Sequence, residues 1–441
     1  MKSKEVLAED LFTFERLDLV VKYKFAEMIH HRIHDPFIER LYTKHIFERV
    51  GNKIAVGLLP DGKKSIEEYV QKFKDLYLSI RINGYYPYSF IEIAESNGSF
   101  YPTEGAHRTS ICRLLNLKIP TKVTNKRHLY WGIDSFKKPL ISDEELNFIL
   151  YNYFFLKDTA RVFVIFPPAV GHADQIKKKI NSQYKIKHEL NLHLDEDWQL
   201  KNLLREMYSN DRVDVYKRDN CSILKKYNII KQGKSHHFLI LFAEANTTEK
   251  KQDIKKEIRE ELSQFVSVKD FITVHASDSI EEKNSLLNVF LNQNTLFHIK
   301  TMNEESELVD SLLKDYLLTL NKYKIKDSIV VGSTPLDLFG LRKTTDIDFC
   351  LSEQERKEKG FDQNPKKLGV STDIVSQRPN YLRGEISDYA LMTNPNYYFV
   401  YRGLKFATLE VMKKVKSILN RKKDIKDCLL IDNFIKKCET I

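Results

Sequence analysis

At 441 residues the chain exceeds what one ordinary hydrophobic core serves, so about two to four domains are expected. Hydrophobic residues make up 42% and aromatics 11%, globular values that exclude a disordered chain. Lys and Arg number 71 against 61 Asp and Glu; the resulting +10 is compatible with nucleotides, phosphorylated sugars or nucleic acid, and is diffuse along the chain.

Lysine-rich runs such as KKSIEEYVQKFK and KKQDIKKEIREE alternate sign along helical faces and read as solvated surfaces. The cysteines (Cys112, Cys221, Cys350, Cys428 and Cys438) show no CxxC spacing, which predicts a reduced chain without structural zinc. MKSKEVLAEDLF carries acids where a signal peptide needs an apolar run, and no segment approaches the ~20 apolar residues of a spanning helix. A cytoplasmic protein of mixed α/β and α+β class is expected, with domains over 1–150, 151–300 and 301–441.

Residues 1 to 85 read as helices, from patterns such as LDLVVKYKFAEMIHHRIHDPFIERLY. His30 and His34 share a helical face as zinc ligands can, with His31 and His45 nearby. No HExxH and no cysteine accompanies them, so structural histidines are expected.

From Phe90 to Val123 the period shortens: a strand to Ala94, an Asn97-Gly98 hairpin turn and a second strand. Gly105 then turns into a helix through His107, Arg108, Ile111, Leu114 and Leu115; Pro120 closes the connection, and TKV reads as another strand. A glycine turn into a helix start offers backbone N–H groups to an anion, with His107 and Arg108 beside it. The run EGAHR resembles the loop of the ParB/sulfiredoxin superfamily, whose members contact nucleotide phosphates there. The resemblance implies a phosphate seat at Glu104, Gly105, His107 and Arg108. It also implies an alternative activity, ATP-dependent phosphorylation of a small molecule or glycan. Ala106 stands where sulfiredoxins carry their reactive cysteine, so that chemistry is not implied.

A further α/β pattern opens at ARVFVIFPPAV and reaches FITVHASDSIEEK. His275, Ser277, Asp278, Ser279 and Glu282 are similar to the phosphohistidine motif of nucleoside diphosphate kinases, but Phe166, Pro168 and Ile272 replace that family's lysine, aspartate and asparagine. The resemblance implies a ferredoxin-like scaffold or binding module, with His275 as candidate phosphohistidine. Local chemistry alone reads Ser277 or Asp278 as the cap of a helix over SIEEK.

After a helix over ESELVDSLLKDYLLTLNKYK, the β-branched run DSIVV predicts a buried strand ending at Gly332 and Ser333. TPLDLFGL can open a helix with Ser333 or Thr334 as N-cap and Pro335 in the first turn. TDIDFCL is the next strand, on which Asp346 and Asp348 share a face while Ile347 and Phe349 point to the core. Two carboxylates so placed suit Mg²⁺ or Mn²⁺ and leave coordination sites for triphosphate oxygens. In-line displacement over two metals needs a third acid from a neighbouring strand, and GVSTDIVS offers Asp373. Asp337 and Asp362 read as surface residues.

Gly332-Ser333, twelve residues, then Asp346-Ile347-Asp348 resembles the signature of the nucleotidyltransferase superfamily, the polymerase-β-like fold. Farther on, Gly403, Leu409, Lys413 or Lys416, and Lys423-Asp424 with Asp427 match the family's later motif. The resemblance implies a C-terminal mixed sheet flanked by helices and a nucleoside triphosphate substrate. Asp346, Asp348 and Asp373 would serve the metal and catalysis, Gly332 and Ser333 the phosphates, and Arg342 a further phosphate contact. The acceptor would be a small molecule, a sugar phosphate or a macromolecule. A non-catalytic nucleotide- or nucleic-acid-binding protein is the remaining alternative.

Overall fold

The computed structural model describes residues 3–55, 65–85, 89–96, 99–124, 131–136, 141–209, 221–232, 236–245, 254–263, 272–302, 307–361, 372–374, 382 and 384–439. The chain forms two compact units, Met1–Tyr153 with Glu385–Ser387, and Phe154–Gly384 with Asp388–Ile441. The fold is mixed α/β, with each sheet accompanied by helices. Among the described residues no helix is long and apolar enough to cross a membrane.

The first unit runs β1 (Ser3–Leu7), α1 (Asp18–His30), α2 (Pro36–Ala55), α3 (Ile66–Asn83), β2 (Ile91–Ser96), β3 (Ser99–Pro102), α4 (Ala106–Leu114), β4 (Lys118–Val123), α5 (Ile133–Phe136) and α6 (Asp143–Phe155). Its mixed sheet has the order β1-β4-β2-β3. The amino-terminal run expected to be helical thus opens with a strand, paired antiparallel to β4. Pro120 lies inside β4, opposite Glu5, rather than closing a connection before it. The hairpin turn expected at Asn97-Gly98 lies outside the described residues.

A charged cluster sits at this unit's centre. Arg16 grips Asp18 through Nε and Nη2 at 2.8 and 3.0 Å, and Lys22 Nζ donates to the same carboxylate at 2.6 Å. Burial opposes ionisation of Asp18, yet Arg16 and Lys22 outweigh it and hold the carboxyl well below its ordinary range. Lys22 Nζ also lies 3.1 Å from His45 Nε2, and His30 Nδ1 lies 2.7 Å from the Tyr77 hydroxyl. Those two histidines are held by packing partners.

The second unit opens with β5 (Ala160–Ile165), α7 (Ala173–Asn181), β6 (Tyr184–His193), α8 (Asp197–Met207), α9 (Cys221–Gln232), β7 (His237–Ala245), α10 (Ile254–Leu262), β8 (Val274–Ala276), α11 (Ile280–Phe290) and α12 (Gln293–Thr301). The sheet order is β6-β7-β5-β8, antiparallel throughout. Strand alternation sends Phe163, Ile165, Leu239, Leu241 and Ala243 to one face. There they pack on Ile176 and Ile180 of α7 and on Ile254, Ile258 and Leu262 of α10. Each buried Phe, Leu or Ile of this layer contributes about 1.5–3 kcal/mol over its exposed state, and the layer holds the sheet to its helices.

It continues through α13 (Glu307–Tyr323), β9 (Ser328–Val331), α14 (Thr334–Leu338), β10 (Ile347–Leu351), α15 (Glu353–Lys359), β11 (Thr372–Ile374), α16 (Asp388–Thr393), β12 (Tyr398–Tyr401), β13 (Leu404–Ala407), α17 (Leu409–Leu419) and α18 (Lys422–Glu439). The mixed sheet has the order β11-β10-β9-β13-β12. β10 runs antiparallel to β9 and parallel to β11, while β13 runs parallel to β9.

Stretches 151–300 and 301–441 therefore belong to one compact unit, joined by specific bonds. Asn292 Nδ2 donates to the Tyr398 carbonyl at 2.9 Å, and Val400 N donates to Thr295 Oγ1 at 3.0 Å, so α12 covers the edge strand β12. At the tip of the β12–β13 hairpin, Arg402 and Gly403 both have positive φ, 52° and 73°. Their amides donate to Glu206 of α8 at 2.7 and 3.4 Å. Burial pushes the Glu206 carboxyl up to about 7, against the pull of those two amides. The Arg402 guanidinium turns to Asp310 of α13, 2.9 Å away.

Candidate functional site

β9 ends at Val331, and Gly332 turns the chain with φ +74° into α14, with Ser333 at the N-cap and Pro335 in the first turn. No side-chain bond caps this helix. A Cβ at Gly332 would overlap the Asp348 carboxylate and lie 2.9 Å from the Asp348 Cβ. Glycine is thus required both by its dihedral and by its neighbour. In the ladder Asp348 is the partner of Val331 on one side and of Asp373 on the other. Asp346 is half-buried, two residues before Asp348.

A hydroxyl network fixes the backbone there. Thr334 Oγ1 and Thr344 Oγ1 both donate to the Asp346 carbonyl, at 3.0 and 2.9 Å. Ser333 Oγ lies 2.8 Å from Thr344 Oγ1. Because the Thr344 proton is committed to Asp346, Ser333 is the donor of that pair, and its oxygen lone pairs stay available. Thr344 N donates to Asp337 Oδ2 at 2.7 Å. Asp337, expected on the surface, is buried, because a carboxylate is what that loop amide needs. Asp362 lies outside the described residues. Sequence reasoning took Thr334 only as a cap candidate and missed Thr344, for which the paired threonines directly before Asp346 were the available signal.

Arg342, expected at phosphates, donates from Nη1 to Asp427 Oδ2 of α18 at 2.6 Å. Lys416 of α17 reaches the same oxygen at 2.6 Å. Of the two lysines matched to the later motif, Lys416 is buried in this cluster, while Lys413 is half-buried and pairs with Asp432. Asp424 is buried and held by Arg421 at 2.6 Å. The two helices meet at Asn420, whose φ of +51° ends α17.

In the first unit, Gly105 caps α4 with φ +78°, and a Cβ there would lie 3.0 Å from Arg108 Nη2. Arg108 donates to Ser89 Oγ and, at 3.4 Å, to the Tyr85 hydroxyl. His107 Nε2 lies 3.2 Å from the Tyr42 hydroxyl, its ring edge-on to Phe73, and Glu104 is exposed. Both basic side chains are already positioned by neighbours.

His275 of β8 is 6% exposed, with Nε2 3.1 Å from Glu282 Oε1. Its ring meets that of Tyr208 edge-on, and Lys226 donates to the Tyr208 hydroxyl at 2.8 Å. The cap of α11 is Ser279, rather than Ser277 or Asp278: its Oγ accepts Glu282 N at 3.1 Å, while Glu282 Oε2 accepts Asp278 N at 2.6 Å. Ser277 Oγ accepts Val162 N at 3.0 Å. These residues start α11 and pin β8 to β5.

Among the described side chains no three His, Cys, Asp or Glu form a group that could hold a metal ion; the Asp373 side chain lies outside the described residues. The carboxylate oxygens of Asp346 and Asp348 are donors of the kind a hard divalent cation takes. No family model, no curated protein and no solved structure matches the chain.

Proposed function

We propose that the C-terminal part of the second unit is a nucleotidyltransferase that moves a nucleoside monophosphate from a triphosphate to an acceptor. The observation that supports this most directly is the pairing of residue 373 with Asp348 on parallel strands, beside the Gly332-Ser333 turn and two residues after Asp346. The sheet order β11-β10-β9-β13-β12, with its parallel and antiparallel pairs, agrees with a polymerase-β-like fold.

Asp346, Asp348 and Asp373 would hold Mg²⁺ or Mn²⁺, which when bound neutralises phosphate charge and orients the triphosphate. The Gly332 turn seats the Asp348 carboxylate against the backbone, and the Ser333 hydroxyl turns from Thr344 to donate to a phosphate oxygen. Asp373 accepts the proton of the attacking hydroxyl. That oxygen bonds the α-phosphorus, the α–β anhydride breaks, and pyrophosphate leaves. Most of the acceleration comes from positioning and electrostatics. The acceptor is a small molecule, a sugar phosphate or a macromolecule. The antiparallel β6-β7-β5-β8 sheet with α7 and α10 serves as a ferredoxin-like scaffold, in line with the buried His275.

The test incubates the protein with each triphosphate, Mg²⁺ and acceptor extracts, then reads pyrophosphate and the mass added to the acceptor. Asp346→Ala with Asp348→Ala should abolish pyrophosphate release while the far-ultraviolet circular dichroism stays native; undiminished release would sink the proposal. ADP formation lost in His107→Ala would point instead to a kinase at the Gly105 loop, and neither product to a binding protein.

A further inference from the structure

The open end of the β6–β7 ladder carries an arrangement unrelated to the C-terminal site. His193 and His237 are direct partners on antiparallel strands. Their rings stack with centroids 4.1 Å apart, within 11° of parallel. Asn191 lies two residues before His193 and so on the same face, and its Oδ1 is 2.9 Å from His237 Nε2. His193 and Asn191 are exposed at the strand's end, where a solvated ion can reach them.

We propose that this corner is a binding site for a divalent transition-metal ion, with the imidazoles of His193 and His237 and the amide oxygen of Asn191 as ligands. Two donors each about 2.1 Å from a metal and at a right angle lie about 3.0 Å apart, close to the separation of His237 Nε2 from Asn191 Oδ1. On binding, His237 Nε2 and Asn191 Oδ1 give up their mutual contact and both turn to the ion. The stacked rings splay about their own side-chain torsions to bring a His193 nitrogen to the same ion. Strand pairing sets the two side chains opposite each other before any ion arrives, and this lowers the ordering entropy lost on binding. The nitrogen-rich set selects Zn²⁺, Ni²⁺ or Cu²⁺ over Mg²⁺ or Ca²⁺.

The experiment titrates Zn²⁺ by calorimetry and Cu²⁺ by electron paramagnetic resonance into the full chain and into His193→Ala and Asn191→Ala. With thirteen histidines in the chain, the difference between variants is the decisive reading. His193 is exposed, so its removal leaves the fold intact, as circular dichroism will verify. The native chain should bind one ion at least about tenfold more tightly than His193→Ala, a gap of about 1.4 kcal/mol. The Cu²⁺ spectrum should show two coupled nitrogens that fall to one in the variant, and Asn191→Ala should weaken binding less. Equal affinity and stoichiometry in the native chain and His193→Ala, or a native spectrum with one nitrogen, overturns the proposal.

Discussion

Gly332 and Asp348 occupy the same small volume: the glycine α-carbon lies where any side chain would strike the aspartate carboxylate, on a backbone with φ +74°. Gly332→Ala should therefore cost about 1–3 kcal/mol and displace Asp348, with loss of pyrophosphate release. Gly340→Ala is the control. Its φ of +68° brings the same backbone strain, but nothing lies within 4 Å of the added carbon, so stability falls and turnover survives. Urea unfolding and turnover, measured on both variants, separate strain from collision; full activity in Gly332→Ala contradicts the proposed role.

Thr344 ties the serine turn to the Asp346 backbone. Thr344→Val keeps the shape but leaves Ser333 without its acceptor and the Asp346 carbonyl with one donor fewer, a cost of about 1–3 kcal/mol. Thr344→Ser retains both bonds and should restore stability and the KM for the triphosphate. A valine variant with native KM and native stability would show that the network is incidental.

Asp427 accepts from both Arg342 and the buried Lys416. Asp427→Ala leaves the buried Lys416 ammonium with only the longer contact to Asp424, 3.8 Å away, and about 3 kcal/mol of destabilisation is expected in urea. Lys413→Ala, which removes only a half-buried pair with Asp432, should change the stability read in urea by less than about 1 kcal/mol.

Glu206 and His298 make opposite contributions to pH dependence. Burial raises Glu206 from 4.5 to about 7, so between those pH values the unfolded chain ionises first and stability falls as pH rises, by up to about 3 kcal/mol. Burial lowers His298 from 6.5 to about 3, so there the unfolded chain protonates first, and stability rises with pH across that window. The two trends oppose each other from about pH 4.5 to 6.5. Relative to the native chain, Glu206→Gln should gain stability progressively as pH increases from 4.5 to 7, and His298→Phe as it decreases from 6.5 towards 3. Urea midpoints across pH read both, and a constant offset in either variant refutes that assignment.

The strands and turn around Gly332 were legible because a β-branched run and a glycine state their own geometry locally, although β10 begins at Ile347 and leaves Asp346 just before it rather than on it. The parallel neighbour of Asp348 was legible only as a candidate, since strand pairing is a non-local choice. Asp337 was misread for the same reason; its burial depends on a loop amide seven residues away, which periodicity does not encode. The first strand was missed because SKEVL is short, and its partner β4 lies more than a hundred residues downstream. Glu206 carried no signal at all, since what holds it is a hairpin tip nearly two hundred residues away.

The α12 side chains on β12 have a consequence for anyone who would dissect this protein. A fragment starting after Thr301 would keep all five strands of its sheet but lose Asn292 and Thr295, leaving the outer rim of Tyr398–Val400 without the groups that occupy it. Such a bare rim invites a sister molecule to dock strand to strand. Light scattering should find that fragment self-associating while the intact chain does not do so through this rim, which makes α12 a built-in guard against aggregation as well as a brace.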